Sequence, residues 1–323
     1  MTPPRYGITV PFDGVPLHEH RRWFEELVDL GFTDAWSAEV DGADGFTPLA
    51  LAAAWAPALH LGVAIAPAFT RGPALLAQTA AAMADAAPGR FALGLGASSD
   101  VIVERWNGID YADPYARVRD TLRFLRRALA GEKVTEAYPT FAVRGFRLSR
   151  RPAEPPPIYL AALRPGMLRL AGREADGAIL NWLSAEDVTA TTAEVAKAAE
   201  GGRREIVARI FVVPEPDPDV ARAIGRRMVA AYLTVPAYAD FHRWLGRGPQ
   251  LQGMWDAWAA GDRAGALDAI PDEVVDDLVV HGSPEACRDH VARYVANGVT
   301  VPLLLVVPGR QELAASLHGL APR

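Results

Sequence analysis

Short apolar runs alternate along the whole chain with longer segments of helical periodicity, and this alternation restricts the fold more than any other feature. Runs such as 91–96 are apolar throughout, as expected for strands that are covered on both faces. We predict strands at 6–10, 34–38, 61–66, 91–96, 158–161, 177–181, 206–213 and 301–306, and helices at 17–30, 48–56, 73–86, 114–130, 166–172 and 185–200. Eight such units favour a closed (β/α)8 TIM barrel over an open sheet.

The 323 residues are predicted to form a single domain, 1–323, because α/β barrels often exceed the usual domain length. Two segments depart from the repeat. Residues 131–157 are rich in Pro, Arg and aromatics and form a long excursion, while residues 214–277 carry several helical stretches. The second segment is a helical insertion between the seventh and eighth strands, on the side where barrels place active sites. It is either a lid over a substrate or an elaboration that only packs on the barrel.

Charge and cysteine content exclude several classes of function. With 33 Lys and Arg against 39 Asp and Glu, the net charge of −6 argues against a nucleic-acid partner. The single cysteine, Cys287, permits no internal disulfide and is expected to be a half-buried structural thiol. His18 and His20 lie two positions apart on a predicted helix and face different directions, so we expect no metal site.

No leader that would signal export precedes the first strand. The stretch 49–69 is almost wholly apolar and long enough to span a bilayer. Pro57, His60, Gly62 and Pro67 divide it, so we interpret it as a buried helix and strand rather than a membrane span. The expected compartment is the cytoplasm.

Two segments suit a cofactor. The run Gly94-Leu-Gly-Ala-Ser-Ser99 resembles a dinucleotide fingerprint only superficially, since no suitable helix opens behind it. Its small residues either leave room for a flat ring or pack the fourth strand tightly. In residues 157–172, a strand ends in two alanines and turns into a helix whose free N–H groups would bind a phosphate. Arg164 adds a charge there or lies at the surface.

Several blocks of this sequence resemble the bacterial-luciferase-like superfamily, particularly its branch that depends on coenzyme F420, an 8-hydroxy-5-deazaflavin. The blocks are 39–49, 61–73, 89–98 with 106–108, 157–172 with 175–177, and 281–285. They occur in family order, and together they are far more specific than any one of them.

The resemblance implies that the cofactor ring lies across the barrel mouth. It would rest on a bulge with a non-prolyl cis peptide at the end of the third strand, near Ala64, Ile65 and Ala66. The resemblance also implies that residues after later strands bind the rest of the cofactor. The residues beside the ribityl chain or ring edge would be Ala97, Ser98 and Ser99. Those at the linker and phosphate would be Ala161, Ala162, Leu163, Arg164, Gly166 and Met167. Asn181 and Trp182 would line the pocket floor or contact the cofactor tail.

The chain also departs from relatives with known chemistry. Deazaflavin sugar-phosphate dehydrogenases carry an acid after the fourth strand and a histidine after the second, where this chain has Ser98 and Ser99, and Glu39 to Asp41. The luciferase-type histidine is missing too. Glu39 is the candidate proton-handling group, because it follows a strand at the barrel mouth. Its alternative role is to hold a loop or cap the next helix.

The resemblance therefore implies hydride transfer between coenzyme F420 and a small, largely apolar substrate, with an unsaturated bond or an alcohol or carbonyl group. The protein would supply orientation and a dry pocket. One alternative is an FMN-dependent monooxygenase on the same scaffold. An alternative of another class is a non-catalytic barrel that binds a cofactor or ligand. The resemblance also implies a homodimer.

Overall fold

The computed structural model describes residues 5–307, 309 and 312–322. In chain order the strands are β1 Gly7–Thr9, β2 Asp34–Ser37, β3 His60–Pro67, β4 Phe91–Gly96, β5 Val134–Tyr138, β6 Phe141–Phe146, β7 Ile158–Ala161, β8 Gly177–Asn181, β9 Glu205–Val213, β10 Val279–His281 and β11 Val301–Val306. The α-helices are α1 His20–Asp29, α2 Thr47–Trp55, α3 Pro73–Ala86, α4 Pro114–Leu129, α5 Pro165–Glu174, α6 Asp187–Ala198, α7 Pro218–Leu233, α8 Pro236–Trp244, α9 Gly248–Ala259, α10 Arg263–Asp268, α11 Asp272–Leu278, α12 Pro284–Ala296 and α13 Leu313–Leu320. A 3₁₀ turn, Leu17–Glu19, precedes α1, and a π-helix, Val101–Trp106, follows β4.

Eight parallel strands close into a ring in the order β1, β2, β3, β4, β7, β8, β9, β11. Closure comes from β9, which pairs with β8 on one side and with β11 on the other, while β11 pairs with β1. The short β10 pairs with the end of β9 and stands outside this ring. The predicted (β/α)8 TIM barrel is confirmed.

The excursion at 131–157 contains an antiparallel hairpin, β5 and β6, that was not predicted. Its strands are short and mostly exposed, so they lack the continuous apolar run by which the barrel strands were identified. The hairpin is attached to α4 through Phe124, whose ring contacts Tyr138, Phe141 and Phe146.

The inside of the barrel is filled by one apolar cluster, and this cluster decides where a cavity can form. Alternate residues of parallel strands point inward, and most of those in the closed part of the barrel are large or branched. They are Trp36, Ala92, Tyr159, Ile179, Val207, Val301 and Leu303, with Ala64 and Ile65 packed against them. The cavity described below lies above this cluster, at the C-terminal ends of the strands.

A bulge interrupts the pairing of β3 with β4. Val63 is opposite Leu93 and Ala66 opposite Leu95, so two residues of β3, Ala64 and Ile65, face the one residue between. That residue is Gly94, and a Cβ built on it would lie 2.0 Å from the carbonyl oxygen of Val63. The Ala64–Ile65 peptide is cis, as the resemblance implied.

The predicted insertion consists of helices α7 to α11, which form a second apolar cluster over the end of the barrel. Trp182 and Phe211 join this cluster from the barrel, with their ring centroids 4.0 Å apart. His242 of α8 is completely buried. Burial, and then the nearby charge of Arg247, lower the pKa of His242 to about 3.

Two further expectations concern the apolar stretch 49–69 and the single cysteine. The stretch divides into the end of α2 and β3, and among the described residues no helix has the length and apolarity to cross a bilayer. Cys287 lies in α12 behind the N-cap Ser283 and is completely buried, more than the half-buried position we predicted. Burial raises the pKa of its thiol to about 12, which keeps it protonated and unreactive.

The bulge gives a first prediction. Replacing Gly94 with Ala forces a methyl group against a backbone oxygen, which cannot move as a flexible side chain would, so we expect Gly94→Ala to lower the free energy of unfolding by about 3 kcal/mol. Urea denaturation measures this loss. Gly42→Ala is the matched control, since a Cβ at Gly42 meets nothing within 4 Å. Equal stability of Gly94→Ala and wild type would contradict the described packing.

The buried histidine gives a second prediction. Because the pKa of His242 is lowered on folding to about 3, the unfolded chain binds one more proton than the folded chain between that value and about pH 6.5. Stability should therefore fall as the pH falls through this range, by up to about 1.4 kcal/mol per pH unit for this residue. Denaturation at several pH values should show a shallower acid dependence for His242→Phe than for wild type. An unchanged slope in His242→Phe counts against burial of a neutral imidazole.

Candidate functional site

A cavity of about 890 Å³ opens at the C-terminal ends of the barrel strands. Its volume lies within the usual range for small-molecule and cofactor sites. Every barrel strand from β2 to β9 contributes a wall residue, either from the strand itself or from the loop that follows it, and the insertion contributes Ala231, Tyr232, Val235, Ala237 and Tyr238. Most of this lining is apolar, so the cavity is suited to a largely apolar ligand.

The β3 bulge forms one side of the cavity floor. Ile65 extends from it across the end of β4, where a Cβ on Gly96 would lie 2.9 Å from Ile65 Cδ1 and 3.0 Å from Ala161 Cβ. Gly94 and Gly96 thus serve the packing of the fourth strand, one of the two interpretations open from the sequence. Their packing also brings Ala64, Ile65 and Ala161 together as an uncharged, apolar surface.

The loop after β4 forms the next part of the wall. Ser98 adopts a φ of 67°, in the left-handed region that favours glycine, so the chain turns sharply at the end of the strand. Its carbonyl oxygen accepts a 2.9 Å hydrogen bond from the hydroxyl of Tyr111. Burial raises the pKa of Tyr111 to about 12, so this donor stays protonated. Trp106, at the end of the π-helix, is 55% exposed at the rim.

Helix α5 begins at the cavity. Gly166 and Met167 of its first turn line the wall, and no side chain caps this end of the helix. Backbone N–H groups at such an end attract an anion. Arg164, directly before the helix, forms an ion pair with Asp240 of the insertion at 2.9 Å, so its charge is already balanced.

Glu39 follows β2 and lies at the cavity edge, but its carboxylate is occupied. Arg71 Nε donates to both oxygens, at 2.9 and 3.1 Å, and the backbone N–H of Gly45 donates at 3.2 Å. The side chains of Glu39 and Arg71 are 14% and 20% exposed. Arg71 also lies over the ring of Phe46, 4.6 Å from its centroid. These contacts hold the loop between β2 and α2, which is the alternative role stated for Glu39.

A polar corner lies across the cavity from the bulge. Asn181 of β8 and Arg209 of β9 are neighbours in register. Asn181 Nδ2 donates a 2.7 Å hydrogen bond to the hydroxyl of Tyr238. Burial raises the pKa of Tyr238 to about 12. Sequence reasoning missed Arg209 and Tyr238, although a charged residue at an inward position of an apolar strand was a signal that could have identified Arg209.

The structure brings most of the predicted site residues together around this one cavity: Glu39, Ala64, Ile65, Ala97, Ser98, Ser99, Ala161, Ala162, Leu163, Arg164, Gly166, Met167 and Asn181. Ala66 and Trp182 do not line it. The alternation of β3 turns Ala66 outward into the core between barrel and helices, and Trp182 is buried beneath the insertion against Phe211. In the part of the chain that the structure describes, no group of three metal-ligating side chains occurs.

The pairing of Glu39 with Arg71 gives a third prediction. Glu39→Gln removes the negative charge and leaves the mostly buried guanidinium of Arg71 with only its longer ion pair to Asp44, at 3.6 Å, so we expect a loss of about 2 kcal/mol in the free energy of unfolding. Chemical denaturation at neutral pH measures it. Glu19→Gln is the control, because Glu19 pairs with Arg22 at 3.9 Å on the exposed surface and its loss should cost little. Wild-type stability in Glu39→Gln is incompatible with the holding role.

Comparisons with known proteins agree with this architecture. The sequence profile of the family described as luciferase-like monooxygenase matches residues 3–301. A Mycobacterium tuberculosis protein whose name assigns it to the coenzyme F420-dependent oxidoreductases is 28% identical over 343 residues, covering 98% of each chain. An F420-dependent glucose-6-phosphate dehydrogenase of Kineococcus radiotolerans is 29% identical over 286 residues, covering 83% of this chain and 80% of the relative.

Among solved structures, the coenzyme F420-dependent tetrahydromethanopterin reductase of Methanopyrus kandleri superimposes with a TM-score of 0.80 at 18% identity, over 98% of this chain and 97% of that one. This likeness shows that the fold is shared. The profile match extends over nearly the whole barrel, from before the first strand to the start of the last. The chain therefore belongs to the luciferase-like monooxygenase family of oxidoreductases.

Proposed function

We propose that this protein uses coenzyme F420 to transfer a hydride to or from a small, largely apolar organic substrate. The observation that carries the proposal is the uncharged, apolar floor made by Ala64, Ile65 and Ala161 in a cavity of about 890 Å³. A planar tricyclic ring can lie on such a floor without meeting a charged side chain.

The residues present fit the cofactor at both of its ends. The ring would rest on Ala64 and Ile65, with Ala97, Ser98 and Ser99 along its edge. The uncapped N-terminus of α5 at Gly166 and Met167 would hold the phosphate through backbone N–H groups. Ala161, Ala162 and Leu163 would lie beside the linker, and Asn181 toward the pocket floor. Arg164 would contribute only if its ion pair with Asp240 opened.

When bound, the deazaflavin supplies a ring carbon that accepts or donates a hydride, and the chemistry is the cofactor's own. This chain's part is to orient the reactants and exclude water. Tyr232, Val235 and Tyr238 of the insertion line the cavity opposite the bulge, so we propose that the insertion covers the substrate. Glu39 stays a predicted proton-handling residue, although its carboxylate already accepts hydrogen bonds from Arg71 and from the backbone of Gly45.

The relatives named above include a sugar-phosphate dehydrogenase, but the wall of this cavity favours another substrate. Those enzymes carry an acid after the fourth strand, where this chain has Ser98 and Ser99. Side chains such as Ile65, Val101, Ile102, Leu163 and Met167 dominate the lining. A sugar would leave many hydroxyl groups unpaired against such a surface, at a free-energy cost for each.

An FMN-dependent monooxygenase is the second candidate, since the family's description names monooxygenases. FMN has a flat ring of similar size and one phosphate, and the same floor and helix end would accept it. The two cofactors differ in chemistry, because FMN has a ring nitrogen, N5, where the deazaflavin has carbon, and reduced FMN reacts with oxygen through the N5 and C4a region of its ring.

Titration of the purified protein with coenzyme F420 and, separately, with FMN tests the proposal, with quenching of intrinsic fluorescence as the readout. We expect tight binding of coenzyme F420 and weaker binding of FMN. Ala97→Trp should weaken F420 binding about tenfold or more, a change of about 1.4 kcal/mol, because the indole fills the ring site. Ala82→Trp, on the exposed face of α3, should bind as wild type does.

Tight binding of FMN without binding of coenzyme F420 would overturn the choice of cofactor in favour of the monooxygenase. A turnover assay distinguishes the proposed enzyme from the non-catalytic alternative. Oxidation of the reduced deazaflavin, followed by its absorbance with a panel of unsaturated and carbonyl compounds, excludes a mere binder. Binding without turnover of any compound, in either direction, would favour that alternative.

A further inference from the structure

Arg209 is a cation inside the barrel. Along β9 the residues alternate in orientation, and Val207, Arg209 and Phe211 form the inward set. Val207 belongs to the apolar cluster that fills the closed part of the barrel. Arg209 is the next inward-facing residue of β9 toward the C-terminal end of the strand, and it lines the cavity. A guanidinium is therefore placed at the boundary between the packed interior and the open site.

Within the described residues, Arg209 forms no ion pair. Its guanidinium lies over the ring of Phe211, 5.3 Å from the centroid, and its Nε is buried without a hydrogen-bond partner. Other arginines that line or border the cavity are paired, Arg71 with Glu39 and Arg164 with Asp240. Arg209 thus differs from them in having its charge directed into the cavity and left unbalanced.

Two neighbouring groups complete a polar subsite. Asn181 Nδ2 donates to the hydroxyl oxygen of Tyr238, so the hydroxyl proton of Tyr238 is free to be donated elsewhere. Asn181 Oδ1 is buried and has no partner. Arg209 and Tyr238 are thus two donors at one corner of the cavity.

The subsite faces the proposed ring position. In the ring of strands β9 lies directly opposite β3, four strands away in either direction. A ligand group at Arg209 is therefore across the cavity from the Ala64–Ile65 bulge. The proposed phosphate site at the start of α5 follows β7, two strands from β9. An anion at Arg209 would belong to the second reactant rather than to the cofactor's phosphate.

We propose that Arg209, with Tyr238, binds the carboxylate of the substrate, which is then a small organic acid with an apolar body. This names the substrate class within the proposed function and rests on it. A mostly buried cation without a partner is costly, and a carboxylate relieves that cost through charge-assisted hydrogen bonds that a guanidinium can make in pairs. The apolar lining accommodates the remainder of the acid.

Calorimetric titration of the cofactor-free protein with benzoate and with benzamide tests the subsite. The two probes have the same ring and nearly the same shape, but only benzoate carries a charge. We expect wild type to bind benzoate about tenfold more tightly than benzamide. Arg209→Met and Arg209→Gln should lose this preference and keep the affinity for benzamide. Arg243→Met is the matched control, because Arg243 is a paired, half-exposed arginine of the insertion, and it should keep the preference.

Equal binding of the two probes to wild type overturns the proposal, as does failure of benzoate to bind at millimolar concentration.

Thermal melting is the second measurement. Removing an unpaired cation should leave the melting temperature of Arg209→Met equal or higher, whereas a merely structural arginine would give a lower one and contradict the proposal. Titration of Arg209→Met with coenzyme F420 decides whether the subsite serves the substrate or the cofactor. Retained F420 binding supports assignment of the subsite to the substrate, and weakened binding assigns it to the cofactor and overturns the proposal. If wild type binds no F420 but prefers benzoate, only the proposed function fails.

Discussion

The contact between Gly94 and the carbonyl oxygen of Val63 is the constraint from which the rest of the site follows. With no side chain on Gly94, β3 can place two residues opposite one and turn its bulge toward the barrel axis. Ile65 then crosses the end of β4, which requires a second glycine at position 96. The outcome is a floor of main chain and small apolar groups, and this floor distinguishes the cavity from the filled interior beneath it.

The cavity has two walls of different character. The β3, β4 and β7 side, with the start of α5, is uncharged and offers backbone N–H groups. The β9 side, to which the insertion contributes wall residues, carries the hydroxyl of Tyr238 and the guanidinium of Arg209, which has no ion pair among the described residues. A flat cofactor on one wall and a charged substrate on the other would meet in the space between. The charges of Glu39 and Arg164 are neutralised by partners, so they add little to the field inside.

Much of the fold was predictable because parallel strands buried on both faces have continuous apolar runs, and the eight barrel strands were found within one or two residues. The hairpin β5–β6 was not predicted, because its strands are mostly exposed and pack against Phe124 of another element. The bulge position came from the resemblance; periodicity alone contains no sign of it.

The site was predictable in part for the same reasons. Residues at strand ends converge in any barrel, so most of the predicted residues share one cavity. Trp182 was predicted to line the cavity but does not. Its φ of 54° and its stacking on Phe211 turn it beneath the insertion, and this contact joins distant parts of the chain. Tyr238 was missed as a site residue for the related reason that the path of the insertion over the barrel mouth is decided by long-range packing.

A crystal structure of the protein in complex with coenzyme F420 tests the central claim most directly. The account predicts the deazaflavin ring in contact with the Ala64–Ile65 peptide and the phosphate at the N–H groups of Gly166 and Met167. A ring bound away from the bulge, or a barrel mouth filled by the protein's own side chains, would contradict it.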